Sequence, residues 1–281
     1  MEQSAINPAL IAASEQVFDR VRKAGAEADL IILESESLSL KASQGELEEH
    51  SISQTQTFGV RVIKDEKVGI AYSEASDAES LSWIVDQALQ NATYSAAEPS
   101  ERIAENAQTL TTDDDYFCPK DSVTIDQQID RVLQLERGLL DKPKVKNVPY
   151  NGVSESLNGR YLFSTAGLSA ASRQRSVYAY AYALAEDGEK NAMEGTGQMS
   201  RLSAELDIPK LVESVAGLSL DMLEGKAIPS GRYDVIFDHE CQISLFNVFS
   251  MALSGKAAKD GINPWREKVG QSVADSRLQL S

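Results

Sequence analysis

Histidine and cysteine are almost missing from this sequence, with two of each in 281 residues. Cys118 and Cys241 stand far apart and in no metal-type spacing. Neither a disulfide framework nor a cysteine-based metal site is therefore expected, and a reducing compartment is the natural setting. His50 and His239 cannot form a two-imidazole zinc site within one helix, which needs both rings on one face or on adjacent turns. His239-Glu240 opens as such a motif would, but Cys241, Gln242, Ile243 and Ser244 follow it. Three consecutive residues cannot all point at one metal from regular backbone, so His239 reads as a strand-end or helix-cap residue. A Gly-x-Ser-x-Gly elbow and a Walker-type phosphate loop are also missing, and Gly195-Thr196-Gly197 lacks the rest of a dinucleotide fingerprint. No apolar run reaches the length of a membrane span, and Met1 to Pro8 has neither a basic region nor a long apolar stretch. A cytoplasmic protein without a membrane partner is expected. Basic residues are short as well, 27 against 43 acidic, for a net charge of −16. Such a surface repels phosphate backbones, so nucleic acid is not an expected ligand.

What is present is enough apolar sequence (42%) for one large domain or two ordinary ones. Leu10, Ile11, Val17, Phe18 and Val21 recur at helical spacing between Pro8 and Lys23, and Gly25 ends that helix. Leu30 to Lys41 and Glu46 to Gln56 read as strands. Phe58-Val60-Val62 and Val68-Ile70-Tyr72 form a hairpin around Lys64-Asp65-Glu66-Lys67. Asp77 caps a helix bearing Leu81, Ile84, Val85, Ala88 and Leu89. The first hundred residues thus predict α-β-β-β-β-α. Ser95 to Pro119 is irregular and acidic at Asp113, Asp114 and Asp115, which read as a solvated loop rather than as ligands of a hard cation. Thr124 and Gln127 form a capping box before a helix with Ile125, Ile129, Val132 and Leu133.

From Val145 to Leu206 the chain is rich in strand formers. Turn signals stand at Asn151-Gly152, Asn158-Gly159, Ala166-Gly167, Asp187-Gly188 and Gly195-Thr196-Gly197. Within it, alternation places Tyr178, Tyr180, Tyr182 and Leu184 on one strand face and Ala179, Ala181 and Ala183 on the other. The alanine face admits a closely packed neighbour. The tyrosine face either packs within the protein or offers a platform for an extended peptide. Asp207 caps a further helix through Leu223. Tyr233 to Phe237 then predicts a buried strand, and Glu240 to Leu253 a helix buried on most sides and closed by Gly255 in a left-handed cap. Arg277 to Ser281 reads as a final strand. The fold class is α+β in two domains: a layer domain at 1–110, a connecting loop and helix at 111–144, and a strand-rich domain at 145–281.

Several phrases in this order resemble one family. They are Phe58-Gly-Val-Arg-Val-Ile with Gly69-Ile-Ala-Tyr, Ser156-Leu-Asn-Gly159, Pro229-Ser-Gly-Arg-Tyr-Asp-Val-Ile-Phe237, Ala252-Leu-Ser-Gly255 and Lys268-Val-Gly-Gln-Ser-Val273 with Ser276-Arg-Leu278. Together they resemble the TldD/PmbA family, once called modulators of DNA gyrase and regarded as metalloproteases. The resemblance implies two branches. The TldD branch carries His-Glu-x-x-x-His shortly before Gly-Leu-Glu-Gly. Matching Ala252-Leu-Ser-Gly255 to that trailing phrase puts the zinc positions at Phe246, Asn247 and Met251, none of them competent for zinc hydrolysis. The chain therefore resembles the PmbA (TldE) branch, with no metal of its own and zinc expected on a TldD-type partner in a heterodimer that degrades or matures peptides. Self-association stays open beside that pairing, and Tyr178, Tyr180 and Tyr182 are the candidate peptide contacts. The family continues past the point where this chain stops, so the C-terminal domain reads as incomplete. Two rival readings remain: a non-enzymatic binding or regulatory protein, and a hydrolase using Glu240 or Asp113–Asp115.

Overall fold

The computed structural model describes residues 6–104 and 109–278, apart from the side chains of Thr109, His239 and Glu240. It divides into two compact units, Met1–Gly225 and Lys226–Ser281. The first unit is an α+β layer. Its strands are β1 (Glu27–Ser43), β2 (Glu46–Lys64), β3 (Lys67–Ser73), β4 (Thr109–Thr111), β5 (Val145–Ser164), β6 (Ser169–Asp187) and β7 (Lys190–Ser200). They form one sheet in the order β3-β2-β1-β5-β6-β4, with β7 also on β6. All pairings are antiparallel except β4 with β6.

Four helices cover one face of this sheet. The helices α1 (Pro8–Lys23) and α2 (Ala78–Tyr94) bury Val17, Phe18, Ile84 and Val85 against Leu30, Ile32, Phe58 and Val60. The helices α4 (Ile125–Leu140) and α5 (Ile208–Leu223) follow a single turn of helix, α3 (Asp114–Phe117), and bury Leu135, Leu139, Leu211 and Val215 against Leu40, Val153, Val177 and Ala181. Leu30, Ile32 and Leu40 are all even positions of β1, so both helix pairs lie on the same side. Each helix starts where a side chain can accept from its free N–H groups: Asn7, Asp77, Thr124 with its capping box through Gln127, and Asp207.

The hairpin turns are set by local backbone chemistry. Asp65 and Glu66 both take positive φ, 51° and 62°, as a two-residue turn between β2 and β3 requires. Gln44 and Gly45 do the same between β1 and β2. Their N–H groups donate to the Glu136 carboxylate at 2.8 and 2.9 Å, which ties that hairpin to α4. Next to the β1–β2 register slip at Lys41/Ala42, the β1–β5 ladder has ended at Leu40↔Val153, and the side chain of buried Asn151 in β5 continues it to Ala42. Its Oδ1 accepts from Ala42 N at 3.0 Å, and its Nδ2 donates to Ala42 O at 2.9 Å and Val148 O at 3.2 Å.

Several expectations change. Glu46 to Val62 is one continuous strand, so the first hundred residues run α-β-β-β-α with three strands rather than four. Asn151-Gly152, Asn158-Gly159 and Gly195-Thr196-Gly197 lie inside strands; only Gly167 and Gly188, both at positive φ, sit in turns. The sheet also runs through the expected boundary, since β1 pairs with β5 from Asp29↔Ser164 to Leu40↔Val153. The compact division falls after Gly225 instead. Asp113 to Asp115 is not plain loop: Asp113 caps α3, and Asp114 pairs with Arg173 at 3.4 Å.

The second unit holds α6 (His239–Val248), a 3₁₀ turn at Ser250–Leu253 and α7 (Gly255–Lys259). Tyr233 to Phe237 is neither strand nor buried; Ile236 is 97% exposed. A lone extended segment cannot satisfy its own backbone, and no described strand lies beside it. The expected helix ends at Val248 and leaves Ile243, Val248 and Leu253 exposed. Gly255 does not adopt the left-handed cap; it opens α7, whose N-cap is Ser254. Residues 279–281 of the expected last strand lie outside the described residues; Arg277 lies in a turn and Leu278 is not in a strand. Among the described residues no helix is long and apolar enough to cross a membrane.

Candidate functional site

The candidate peptide face is built by the second half of β6. Ala179, Ala181, Ala183 and Ala185 are fully buried beneath the helical layer, where methyl side chains let α5 approach the strand closely. Ser219 of α5 reaches through, its Oγ within 2.9 Å of Ala183 O and 3.0 Å of Glu194 O. The opposite side of β6 is partly open. There Tyr178 and Tyr182 are 36% and 39% exposed. Tyr178 stacks on Tyr180 with centroids 5.4 Å apart, and Tyr182 meets Tyr150 of β5 edge-on at 6.3 Å.

Three glycines seat these rings. A Cβ on Gly152 would come within 2.8 Å of the Tyr180 ring, and one on Gly195 or Gly197 would collide with Tyr182 or Tyr178. The glycines are opposite or diagonal to the tyrosines in the ladder: Gly152 pairs with Tyr180, and Gly195 with Tyr182. Each ring thus lies over the bare backbone of a glycine. Tyr150 and these glycines were not among the expected contacts. Their signal was present as glycine recurring in strand sequence opposite an alternating aromatic run.

Beyond the tyrosines the same face becomes a field of small hydroxyls and amides. Ser156 and Ser176 share a hydrogen bond at 2.8 Å, and Ser35 Oγ donates to Asn158 Oδ1 at 2.8 Å. Among the described residues these serines bond to one another and to amides, not to an imidazole or carboxylate that could activate them.

On the helical side, a polar band crosses the sheet between the two cores. Tyr161 donates to Glu34 at 3.0 Å, and Gln56 Nε2 donates to the same carboxylate at 2.7 Å. Burial, then the Glu34 charge beside it, pushes the Tyr161 hydroxyl up to about 12. Arg173 and Asp114 close a cavity of about 220 Å³ over this pair.

The aligned zinc positions lie in the second unit. Phe246 and Asn247 belong to α6, and Met251 to the 3₁₀ turn after it. Phe246 lines an apolar cavity of about 380 Å³ with Phe249, Trp265 and Leu278, while Asn247 and Met251 are exposed. The side chains of His239 and Glu240 lie outside the described residues, so neither the capping role of the first nor the hydrolytic role of the second is placed. His50 is exposed on β2, opposite Leu40. Among the described residues no three His, Cys, Asp or Glu side chains gather as a metal site would require.

Three family models match the sequence in order. They are the PmbA/TldA metallopeptidase domain 1 at residues 28–92, its central domain at 118–223 and its C-terminal domain at 230–281. The chain belongs to the PmbA/TldD family. A comparison with curated proteins gave no match. Among solved structures, a proposed modulator of DNA gyrase from Thermotoga maritima superposes with a TM-score of 0.82 at 19% identity, over 95% of this chain and 60% of that one. A proposed DNA gyrase modulator from Bacteroides thetaiotaomicron gives 0.78 at 15% identity, over 91% and 60%. TldE from Thermococcus kodakarensis gives 0.60 at 16% identity, over 73% and 46%. This PmbA/TldD chain thus spans 60% of the length of the first two and less than half of the third. The family boundary between residues 92 and 118 falls in the irregular stretch, even though the sheet continues across it.

Proposed function

We propose that this chain is a PmbA/TldE-type subunit of a two-part metallopeptidase, with the zinc supplied by a TldD-type partner. Its task is to brace that partner and to wall the path of an extended peptide with the Tyr178–Tyr182 strip. The observation that carries the reading is the strip itself: aromatic and partly exposed, in a chain whose two histidines offer no zinc-binding pair. Aromatic faces hold extended chains of varied sequence through large contact area at low entropy cost. Peptide hydrolysis at neutral pH needs an activated water, and in this reading the partner's metal activates it.

The test mixes the full-length protein with a TldD-type homologue and follows peptide cleavage. The chain alone is expected to be inactive and to hold no stoichiometric zinc. The mixture is expected to cleave, with Tyr180→Ala raising KM more than it lowers kcat. Cleavage by the isolated chain that EDTA abolishes and zinc restores overturns the assignment. The gyrase-modulator description of two similar structures supports the alternative of a non-enzymatic regulator. Capture of gyrase, with no capture of a TldD-type protein, would favour that alternative.

A further inference from the structure

The outer edge of β6 carries β4 as far as Ala171 and β7 from Val177 onward. No described strand lies beside the five residues between. On this side Ala171 O accepts from Thr112 N, and Arg173 N donates to Thr112 Oγ1. Strand backbone groups turn to the two sides alternately, so the N–H and C=O of Arg175 face the same gap. The gap opens into a cavity of about 560 Å³, lined in part by Tyr116, Gln174, Arg175, Met199 and Arg201. That volume is in the range that encloses a small ligand.

Two guanidinium groups border the cavity, and each has a buried Nε–H with no hydrogen-bond partner among the described residues. Arg175 is otherwise neutralised by Glu155. Arg201 is not: it makes no ion pair and no hydrogen bond among the described residues. Its guanidinium lies 4.4 Å from the Tyr116 ring centroid and 5.2 Å from that of Phe117. Stacking on an aromatic face fixes the guanidinium and leaves its N–H edge for a planar acceptor. The turn that follows is pinned by buried Ser203, which donates its N–H to Asp121 at 2.6 Å and accepts from Gln128 and Arg131. The carboxylates of Asp115 and Glu205 line the same cavity, and Glu205 accepts from Ser200 Oγ.

A buried Nε–H without an acceptor is costly, and a carboxylate matches the guanidinium fork that carries it. We propose that this cavity recognises the carboxylate of a short extended peptide. The carboxylate pairs with Arg201, and the peptide backbone lies along the open edge of β6, as strand addition does elsewhere. The peptide part rests on the reading above; the carboxylate part rests on Arg201.

The test uses the full chain and a fluorescent tetrapeptide in three forms: free acid, C-terminal amide, and amide ending in glutamate. The acid is expected to bind at least tenfold tighter than the plain amide. Arg201→Met abolishes that difference with an unchanged circular dichroism spectrum, and Arg201→Lys restores part of it. The glutamate amide tells the sources apart: binding like the acid assigns the site to any carboxylate, and binding like the amide to chain termini. Equal binding of acid and amide, no binding of either, or unchanged discrimination in Arg201→Met overturns the proposal. Capture of a TldD-type protein is measured on the same samples. Discrimination without capture keeps this site and overturns the subunit reading.

Discussion

The ring of Tyr178 occupies the space that a Cβ on Gly197 would need, and Tyr182 does the same at Gly195. The two glycines differ in what else a methyl group would meet. At Gly197 the obstacle is the far end of the Tyr178 ring, which can swing away. At Gly195 it includes the carbonyl oxygen of Ala181, part of the ladder itself. Gly195→Ala is therefore expected to cost about 2–3 kcal/mol, in the overpacking range, and Gly197→Ala about 1 kcal/mol or less. Urea unfolding at constant m-value distinguishes them; equal losses would show that the rings are not seated as described.

Asn151→Ala removes three hydrogen bonds at the β1 irregularity and leaves Ala42 N–H and C=O without partners in the core. Each buried unpaired group costs about 1–3 kcal/mol, so a total loss of about 2–6 kcal/mol is expected. Asn151→Asp should be no better, because it keeps the acceptor for Ala42 N but loses both donors. A variant within about 0.5 kcal/mol of the parent would count against this role.

Glu136 is expected to act through the β1–β2 turn. Glu136→Ala frees the amides of Gln44 and Gly45, with an expected loss of about 1.5–3 kcal/mol, as for hydrogen bonds to a charged group. Hydrogen exchange gives the local readout: both turn amides should exchange faster in the variant, while those of β3 should not change. Unaltered exchange at Gln44 and Gly45 would remove Glu136 from the turn.

The Tyr161 hydroxyl gives a pH signature. Its pKa is raised in the folded state to about 12, from an ordinary value near 10. Above pH 10 the unfolded chain loses this proton while the folded chain keeps it. Stability from this group is thus whole below about pH 10 and falls as the pH rises to about 12. The fall is on the order of 2 kcal/mol. Tyr161→Phe should flatten the slope between pH 10 and 12, and an identical slope in parent and variant would refute the assignment.

The helices of the first unit were legible because both of their signals are local. Val17, Val21, Ile84, Leu211 and Val215 repeat at the helical period, and Asp77, Thr124 and Asp207 cap within three residues. The strands of the central region were legible in type but not in length. Gly152, Gly159, Gly195 and Gly197 looked like punctuation, yet three of them make room for rings contributed by β6. Nothing adjacent in sequence distinguishes a glycine that bends the chain from one that seats a distant ring. The Tyr178–Tyr182 alternation was readable for the same local reason as the helices. The Arg201 cavity was not, since α3, β6 and the turn after β7 bring its walls together from three separate stretches. Tyr233 to Phe237 failed differently: its composition specifies a strand, but a strand also needs a neighbour.

The pairing of β1 with β5 has a consequence in time. Asp29 meets Ser164 and Leu40 meets Val153, so the inner edge of the first hairpin faces residues made more than a hundred positions later. At ordinary synthesis rates that interval is on the order of ten seconds. Throughout it the β1–β2–β3 hairpins have one long side without a neighbour, and the closure entropy of the loop is lost before the contacts reward it. Refolding from denaturant should therefore be slow for a chain with so many local hairpins. In the cell, the nascent β1 edge is where a chaperone or a second nascent chain would first find a place to pair.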